Sequence, residues 1–285
     1  MKKVLKSLRL IALILFLLML VLSDAFLLEP NMLRVRYENF SSAKIPAELN
    51  DYTILFFSDL HYNRFTTKER VKKIVDTING IGADTVVFLG DLYDHPTIYE
   101  VDNETAGQLA ELLAAIKAPY GKFAVLGNHD YDSPETAQIV TKTLQQANFE
   151  VLINDNLKLY HSGEAYLRLI SVDCLALGNP DLTRALKGSS DQTFNLLITH
   201  APDIYDDVDP GLVSLMLAGH SHGGQIKLPL FQNYLRTFGA QKYFSGKYSD
   251  SGLLLDITNG VGNTYINARF NAPAELVVYH LYSLE

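Results

Sequence analysis

The sequence predicts an α/β protein in which two β-sheets pack face to face and α-helices flank them. Three observations carry that prediction. Short apolar runs alternate with amphipathic stretches from Thr53 to the helix opened by Ser133 and Pro134. Beyond that point the chain has more strand character and less helix. No internal repeat, low-complexity tract or linker divides it. Strand and helix in alternation give a layered sheet, and 285 residues, 48% of them hydrophobic, are enough for one large domain.

The N-terminus stands apart. Lys2, Lys3, Lys6 and Arg9 precede an unbroken apolar run from Leu10 to Leu22, which Ser23 and Asp24 interrupt. A basic flank before an apolar core addresses a chain to a membrane. The run is short for a full span and within the length of a signal-peptide core. Ser23 and Ala25 give only a poor small-residue cleavage pattern, and Ala25 to Leu28 lengthen the segment, so residues 1–28 read as a signal anchor, with a signal peptide as the alternative. Residues 29–285 read as one domain. The basic flank should stay in the cytoplasm and the body face outward: a single-pass cell-membrane protein, or a secreted one if the N-terminus is cut. No paired arginines indicate a twin-arginine route.

The formal charge is −8, and without the charged residues of the N-terminal segment 20 basic and 31 acidic residues remain. That excludes a nucleic-acid coat protein, which shows basic stripes. It leaves phosphate chemistry open where bound metal ions supply the positive charge. The single cysteine, Cys174, reads as a small buried hydrophobe.

Each element has a local reason. Leu33 to Asn50 reads as a strand and a loop. Thr53 to His61 (TILFFSDLH) is an apolar run with an abrupt polar end, as in a buried strand. Thr66 and Glu69 suggest a capping box. Val71, Ile74, Val75 and Ile78 follow at helical spacing, with Gly80 and Gly82 as stop signals. Asp84 to Asp91 (DTVVFLGD) is the next strand, and a helix follows around Glu104 to Lys117. Lys122 to Asp130 (KFAVLGNHD) is the third strand, and Ser133 with Pro134 opens the third helix. Leu157 to Asp173 reads as a hairpin around Gly163. Asn195 to His200, Ser214 to His220, Leu253 to Ile257 and Leu276 to Leu281 read as further strands.

Five apolar runs end alike, in Asp59-Leu-His61, Gly90-Asp91, Gly127-Asn128-His129-Asp130, His200 and Gly219-His220-Ser-His222. Functional groups of open α/β sheets gather where strands end, and five of the eight histidines lie at these ends. One such acid is usually a turn residue; five endings of this kind point to a cation site. In GHSHGGQ (Gly219 to Gln225), His220 and His222 would share a face if extended.

The order D-x-H, G-D-x-x-D, G-N-H-D, H, G-H-x-H resembles that of the calcineurin-like metallophosphoesterases over Asp59 to His222. GHSHGGQ, the N-terminal segment and RFNAPAE (Arg269 to Glu275) look like the bacterial membrane-associated branch of that superfamily. The resemblance implies the four-layer metallophosphoesterase fold and a two-metal site. Asp59, His61 and His222 would hold one ion, Asn128, His200 and His220 the other, and Asp91 would bridge them. Mixed N and O donors without thiolate suit Mn²⁺ first, then Fe or Zn²⁺. A hydroxide held between the ions would attack phosphorus in line. His129 would protonate the leaving group, with Asp94 orienting it. Gly219 and Gly223 would clear space for the loop, Ser221 would line the pocket or point away, and Asp130 would be a turn acid or a histidine partner.

Departures bear on substrate. The arginine that follows G-D-x-x-D in the phosphoprotein phosphatases is here His95, so the bidentate phosphate clamp is lost. That favours a diester, a pyrophosphate or a lipid-derived phosphoester. After D-x-H the chain reads Tyr62-Asn63-Arg64, where many relatives have glycine. Asn63 tolerates the left-handed conformation, and Arg64 is either a phosphate contact or surface charge. Lys227 to Phe238 is apolar (Leu228, Leu230, Phe231, Tyr234, Leu235, Phe238) and fits an acyl chain, the bilayer or sheet-edge core, with Lys227, Arg236 and Lys242 near lipid headgroups or in solvent. Some relatives cleave the pyrophosphate of UDP-diacylglucosamine at the cytoplasmic face, which an outward-facing domain would not meet. A catalytically silent metal-binding module is the remaining alternative. It is disfavoured because every ligand position and His129 are filled.

Overall fold

The computed structural model describes residues 2–95, 101–228 and 236–284. Helix α1 (Lys2–Ser23) continues into a π-type turn, Asp24–Leu28, and a 3₁₀ turn, Glu29–Asn31. The helix thus outruns the apolar stretch read from the sequence. At 1.5 Å per residue it is about 33 Å long, against about 30 Å for a bilayer core, and by length and composition it can cross a membrane. Its apolar side chains are exposed. Ala25, Glu29 and Pro30 are instead buried against the body.

The body continues with β1 (Arg34–Ser42), β2 (Tyr52–Phe57), α2 (Lys68–Ile81), β3 (Thr85–Phe88), α3 (Asn103–Ala114), β4 (Lys122–Ala124) and α4 (Pro134–Gln146). Then come β5 (Glu150–Val151), β6 (Asp155–Tyr160), β7 (Tyr166–Ser171), α5 (Leu182–Ala185), β8 (Asn195–Ile198), β9 (Leu215–Ala218), β10 (Gly246–Asp250), β11 (Leu253–Ile257) and β12 (Glu275–Ser283). Among the described residues they form two six-stranded sheets, in the orders β1-β12-β2-β3-β4-β5 and β10-β11-β9-β8-β7-β6. Both are mixed. In the first, β12 is antiparallel to β2 and the other pairs are parallel. In the second, β10 and β6 are antiparallel to their neighbours and β11, β9, β8 and β7 run parallel.

Alternation along each strand builds the layers. On β2, Ile54 and Phe56 face the second sheet and join Val87, Leu167, Leu196 and Leu217 between the sheets. Leu55 and Phe57 face outward and join Val86 and Phe88 under the helices. There α2 contributes Val71, Ile74, Val75 and Ile78, all buried, each worth about 1.5–3 kcal/mol of burial. The outer face of the second sheet is covered more thinly, by α5 and the turn Pro202–Asp207 around Ile170, Leu197 and Met216. Arg36 on β1 joins the sheets, donating to both oxygens of buried Asp256 on β11 at 2.8 Å.

Local expectations meet some corrections. The cap of α2 is Thr67, not Thr66. Thr67 Oγ1 donates to Glu69 at 2.8 Å, while buried Thr66 accepts the Asn263 N–H at 3.3 Å. Gly82, left-handed at φ 72°, ends the helix, and Gly80 lies inside it. Ser133 caps α4 as expected, accepting the Thr136 N–H. The β2, β3 and β4 strands stop at Phe57, Phe88 and Ala124, so the polar ends of those runs are loops. Strands β5 and β10 are additional to those read from the sequence.

Candidate metal centre

The parallel strands β2, β3, β4, β8 and β9 release their loops at one end of the sandwich, and those loops bring the sequence-singled residues together. Two clusters form. Asp59, His61 and His222 offer ligand atoms within 4.8 Å of one another, and so do Asp91, His200 and His220. Asp91 Oδ2 lies 3.5 Å from His61 Nε2 and 3.3 Å from His200 Nε2, so one carboxylate oxygen faces both groups. Asn128 lines the same cleft, and its buried Oδ1 has no protein partner.

His220 and His222 do not share an extended face. Strand β9 ends at Ala218, and both histidines take left-handed backbone, φ 70° and 53°. The turn sends them to different clusters. Asp59, His61 and Asp91 are also left-handed, at φ 54°, 43° and 61°. Each such residue costs on the order of 1–2 kcal/mol, and strain of this kind persists where the surroundings over-determine it at functional sites. Gly219 is required here, because a Cβ would stand 2.8 Å from Asp59 Oδ2. Ser221 accepts the Gly223 N–H and belongs to the turn.

The hydrogen bonds leave the right lone pairs free. His200 donates Nδ1–H to the Leu89 carbonyl at 2.6 Å, which leaves Nε2 as an acceptor. His220 donates Nε2–H to the Phe238 carbonyl at 2.8 Å, which leaves Nδ1. His61 Nδ1 faces Asp94 Oδ1 at 3.4 Å, which leaves Nε2. Asp59 Oδ2 accepts the His220 N–H at 3.1 Å and the Ser58 hydroxyl, while buried Oδ1 has no partner. His61 Nε2 and His222 Nε2 stand 3.0 Å apart. Converging lone pairs with their far sides fixed are what a divalent ion requires, so the residues fit a pair of cations. The electrostatics agree. Burial alone would lower His61 and His200, but Asp94 and Asp91 hold His61 up and Asp91 holds His200 well up. The acids draw positive charge into the site, and a metal ion meets the same demand.

Asp94 is not where it was expected. It lies against His61, and it also accepts from Asn63 Nδ2 at 2.8 Å and Thr264 Oγ1 at 2.6 Å. The carboxylate facing His129 Nδ1 is Asp132, 3.9 Å away and one turn on, which the sequence reading missed. His129 stands at the cleft wall, its ring centroid 5.0 Å from that of His61 and 4.3 Å from that of His95. Its backbone N–H donates to Asp91 Oδ1 at 2.9 Å. Burial and the nearby His61 and His95 pull its pKa down, against the pull of Asp91.

Asp130 lies in the 3₁₀ turn His129–Tyr131, the turn acid of the two sequence alternatives, and not against a histidine. It is fully buried and accepts the N–H groups of Asp91 and Gly127 on Oδ2 and of Leu92 on Oδ1, at 2.8–2.9 Å. It therefore clasps the loops after β3 and β4. Burial and the Asp91 carboxylate push it up to about 7.

The cleft measures about 440 Å³. Its described lining includes no arginine or lysine. Arg64 lines a recess beside it with Asn63, Asp94 and Tyr265, the guanidinium 4.7 Å over the Phe65 ring. Tyr265, 74% exposed and left-handed at φ 59°, stands at the mouth near Leu177 and Phe238; sequence reading passed over it because nothing in its neighbourhood is periodic. Leu228 and Phe238 are exposed, whereas Leu230, Phe231, Tyr234 and Leu235 of the expected apolar loop lie outside the described residues. Cys174 is buried.

Comparison with known proteins fits this geometry. The family model for calcineurin-like phosphoesterase matches residues 52–224. The chain is 34% identical over 257 residues to the uncharacterized metallophosphoesterase YkuE of Bacillus subtilis, covering 90% of this chain and 88% of that one. It is 28% identical to the UDP-2,3-diacylglucosamine pyrophosphatase LpxG of Chlamydia trachomatis, covering 87% and 89%. It is 27% identical to the phosphodiesterase YaeI of Escherichia coli, covering 81% and 82%. The loops that gather these acids and imidazoles are therefore those of a metal-dependent hydrolase, and the chain belongs to the calcineurin-like phosphoesterase family.

Proposed function

We propose that the chain is a two-metal phosphodiesterase acting at the outer face of a membrane. The observation that carries the reading is the pair of buried clusters sharing the Asp91 carboxylate. Asp59, His61 and His222 would hold one ion, Asn128, His200 and His220 the other, and Asp91 both, with Mn²⁺ favoured and Fe or Zn²⁺ as alternatives. Bound there, the ions supply Lewis-acid stabilisation of phosphate oxygens and water acidified to neutral pH. The residues of the chain do the rest. Asp94 and the carbonyls of Leu89 and Phe238 fix the tautomers of three histidines. His129, at the cleft wall, would give its proton to the leaving alkoxide as hydroxide, water that has already lost its proton, adds to phosphorus and the P–O bond breaks. Asp132 faces its other nitrogen.

Among the described residues the cleft lining carries no arginine, which supports a diester over a monoester: a second ester group removes one negative charge, so less clamping is needed. The basic flank of α1 supports an outward-facing body held by residues 1–28. The similarity to LpxG favours a second reading, cleavage of the pyrophosphate in a lipid-linked nucleotide sugar.

The test uses the full chain in detergent, stripped of metal and then given Mn²⁺, with bis-(p-nitrophenyl) phosphate, the monoester and UDP-diacylglucosamine side by side. Mn²⁺-dependent diester turnover is expected, lost in Asp91→Asn and about 10²–10⁴-fold lower in His129→Ala. A folded, Mn²⁺-loaded chain that cleaves only the nucleotide sugar establishes the second reading. One inert to all three refutes both.

A further inference from the structure

The end of the N-terminal helix is hydrogen-bonded to the segment Arg269–Ala272 and to Arg70 on α2. The Ala25 carbonyl accepts the Arg269 N–H at 2.9 Å. The Glu29 carboxylate, 7% exposed, accepts the N–H groups of Asn271 at 2.9 Å and Ala272 at 2.7 Å. The Pro30 carbonyl accepts from Arg70, which also donates to the Val261 carbonyl at 2.9 Å. A flexible tether would leave these groups to water.

What they hold is a loop behind Asp59. The Arg269 side chain is wholly buried, and the loop Asn259–Asn263 wraps it. Its guanidinium donates to the Asn259 carbonyl at 3.1 Å, to Asn263 Oδ1 at 2.8 Å and to the Gly262 carbonyl. The other side of that loop lies flat on the ligand-bearing turn. Val261 N–H donates to the Ser58 carbonyl at 3.0 Å and Gly262 N–H to the Asp59 carbonyl at 2.8 Å. A Cβ at Gly260 would come within 2.7 Å of Asp59 Cβ. Burial lowers the Arg269 pKa to about 10, with Asp59, Glu29 and Glu275 acting in the opposite sense, so the guanidinium stays charged at neutral pH and Glu29 is one of the acids that offset it.

We infer that residues 25–31 are part of the metal centre's scaffold, with Glu29 and Arg269 as positioning residues that set the Asp59 carboxylate. This rests on the two-metal reading. A carboxylate held in a left-handed turn depends on what surrounds it, and here the surroundings extend back to the juxtamembrane segment.

The experiment measures Mn²⁺ binding to the full chain in detergent, by the free-Mn²⁺ EPR signal, together with the thermal midpoint. Glu29→Ala and the milder Glu29→Gln are set beside Leu144→Ala, a core truncation near the C-terminal end of α4. Glu29→Ala is expected to weaken Mn²⁺ binding on the order of ten-fold, as loss of a supporting partner does, with Glu29→Gln between it and the parent. Leu144→Ala is expected to lower the midpoint and leave the Mn²⁺ constant unmoved. A Glu29→Ala chain that loses thermal stability as the core variant does, yet binds Mn²⁺ as the parent does, overturns the inference. Should Glu29→Ala not fold, an unmoved constant in folded Glu29→Gln overturns it. A parent chain that binds no divalent ion overturns the two-metal reading itself.

Discussion

Asp94→Asn separates two roles for the residue that the structure moves from one histidine to another. Two donors bond its carboxylate oxygens, Asn63 Nδ2 and Thr264 Oγ1, and His61 Nδ1 faces Oδ1 at 3.4 Å. An asparagine has one oxygen and one NH₂ group, so at least one donor must face another donor. The lost interaction is a bond to a charged acceptor, worth about 1.5–3 kcal/mol. If the misfit falls on His61, its Nε2 is no longer held ready as a lone pair. At 1.4 kcal/mol per factor of ten, that is roughly 10- to 150-fold weaker metal binding. The assay is Mn²⁺ titration of the full chain, followed by diester turnover at saturating metal. Affinity should fall by that factor, with turnover largely restored at high Mn²⁺. If Mn²⁺ binding stays unchanged while saturated turnover drops and the pH profile shifts, Asp94 acts on His129 and the reasoning fails.

Two further outcomes follow from buried charges. Asp130→Ala strips the acceptor from three buried N–H groups, and at about 1–3 kcal/mol each urea unfolding should show a loss of roughly 3 kcal/mol or more; a loss under about 1 kcal/mol would mean the loops do not need the clasp. Burial lowers the Lys122 ammonium from 10.5 to about 8. As pH falls from about 10.5 to about 8 the unfolded chain gains this proton before the folded one, so the stability present at the alkaline end is lost across that window. Lys122→Met escapes the penalty, and in paired thermal melts its gain over the parent should be larger at about pH 8 than at about pH 10.5. An equal gain at both ends would place the effect elsewhere.

Much of the site was legible because strand-end chemistry is local. A buried strand must stop where its side chains turn polar, so Asp59, Asp91, Asn128, His200 and His220 announce themselves against apolar runs. Helix α2 was legible for the same kind of reason: its four buried aliphatics repeat at helical spacing. Asp94, Asp130 and Asp132 were harder. Their roles are set by which loop folds over them, and spacing alone does not distinguish a carboxylate that orients His61 from one that orients His129. Strand β10 is polar and mostly exposed, so it has no alternation to read. The insertion of β12 between β1 and β2 is a contact between the two ends of the chain, and no local pattern encodes it.

That insertion also sets a timetable. Arg34 pairs with Glu275, so about 240 residues must be made after the first strand before its partner exists. At about 5–20 residues per second that is roughly 12 to 50 seconds of synthesis. During that interval β1 has no neighbour and β2 lacks the partner that closes its outer edge. The sheet cannot be completed from the N-terminus until β12 has been made. Completion waits for Glu275–Ser283, and a chain stopped just short of them would keep every candidate ligand yet leave an open, apolar strand edge for other unfinished chains to join.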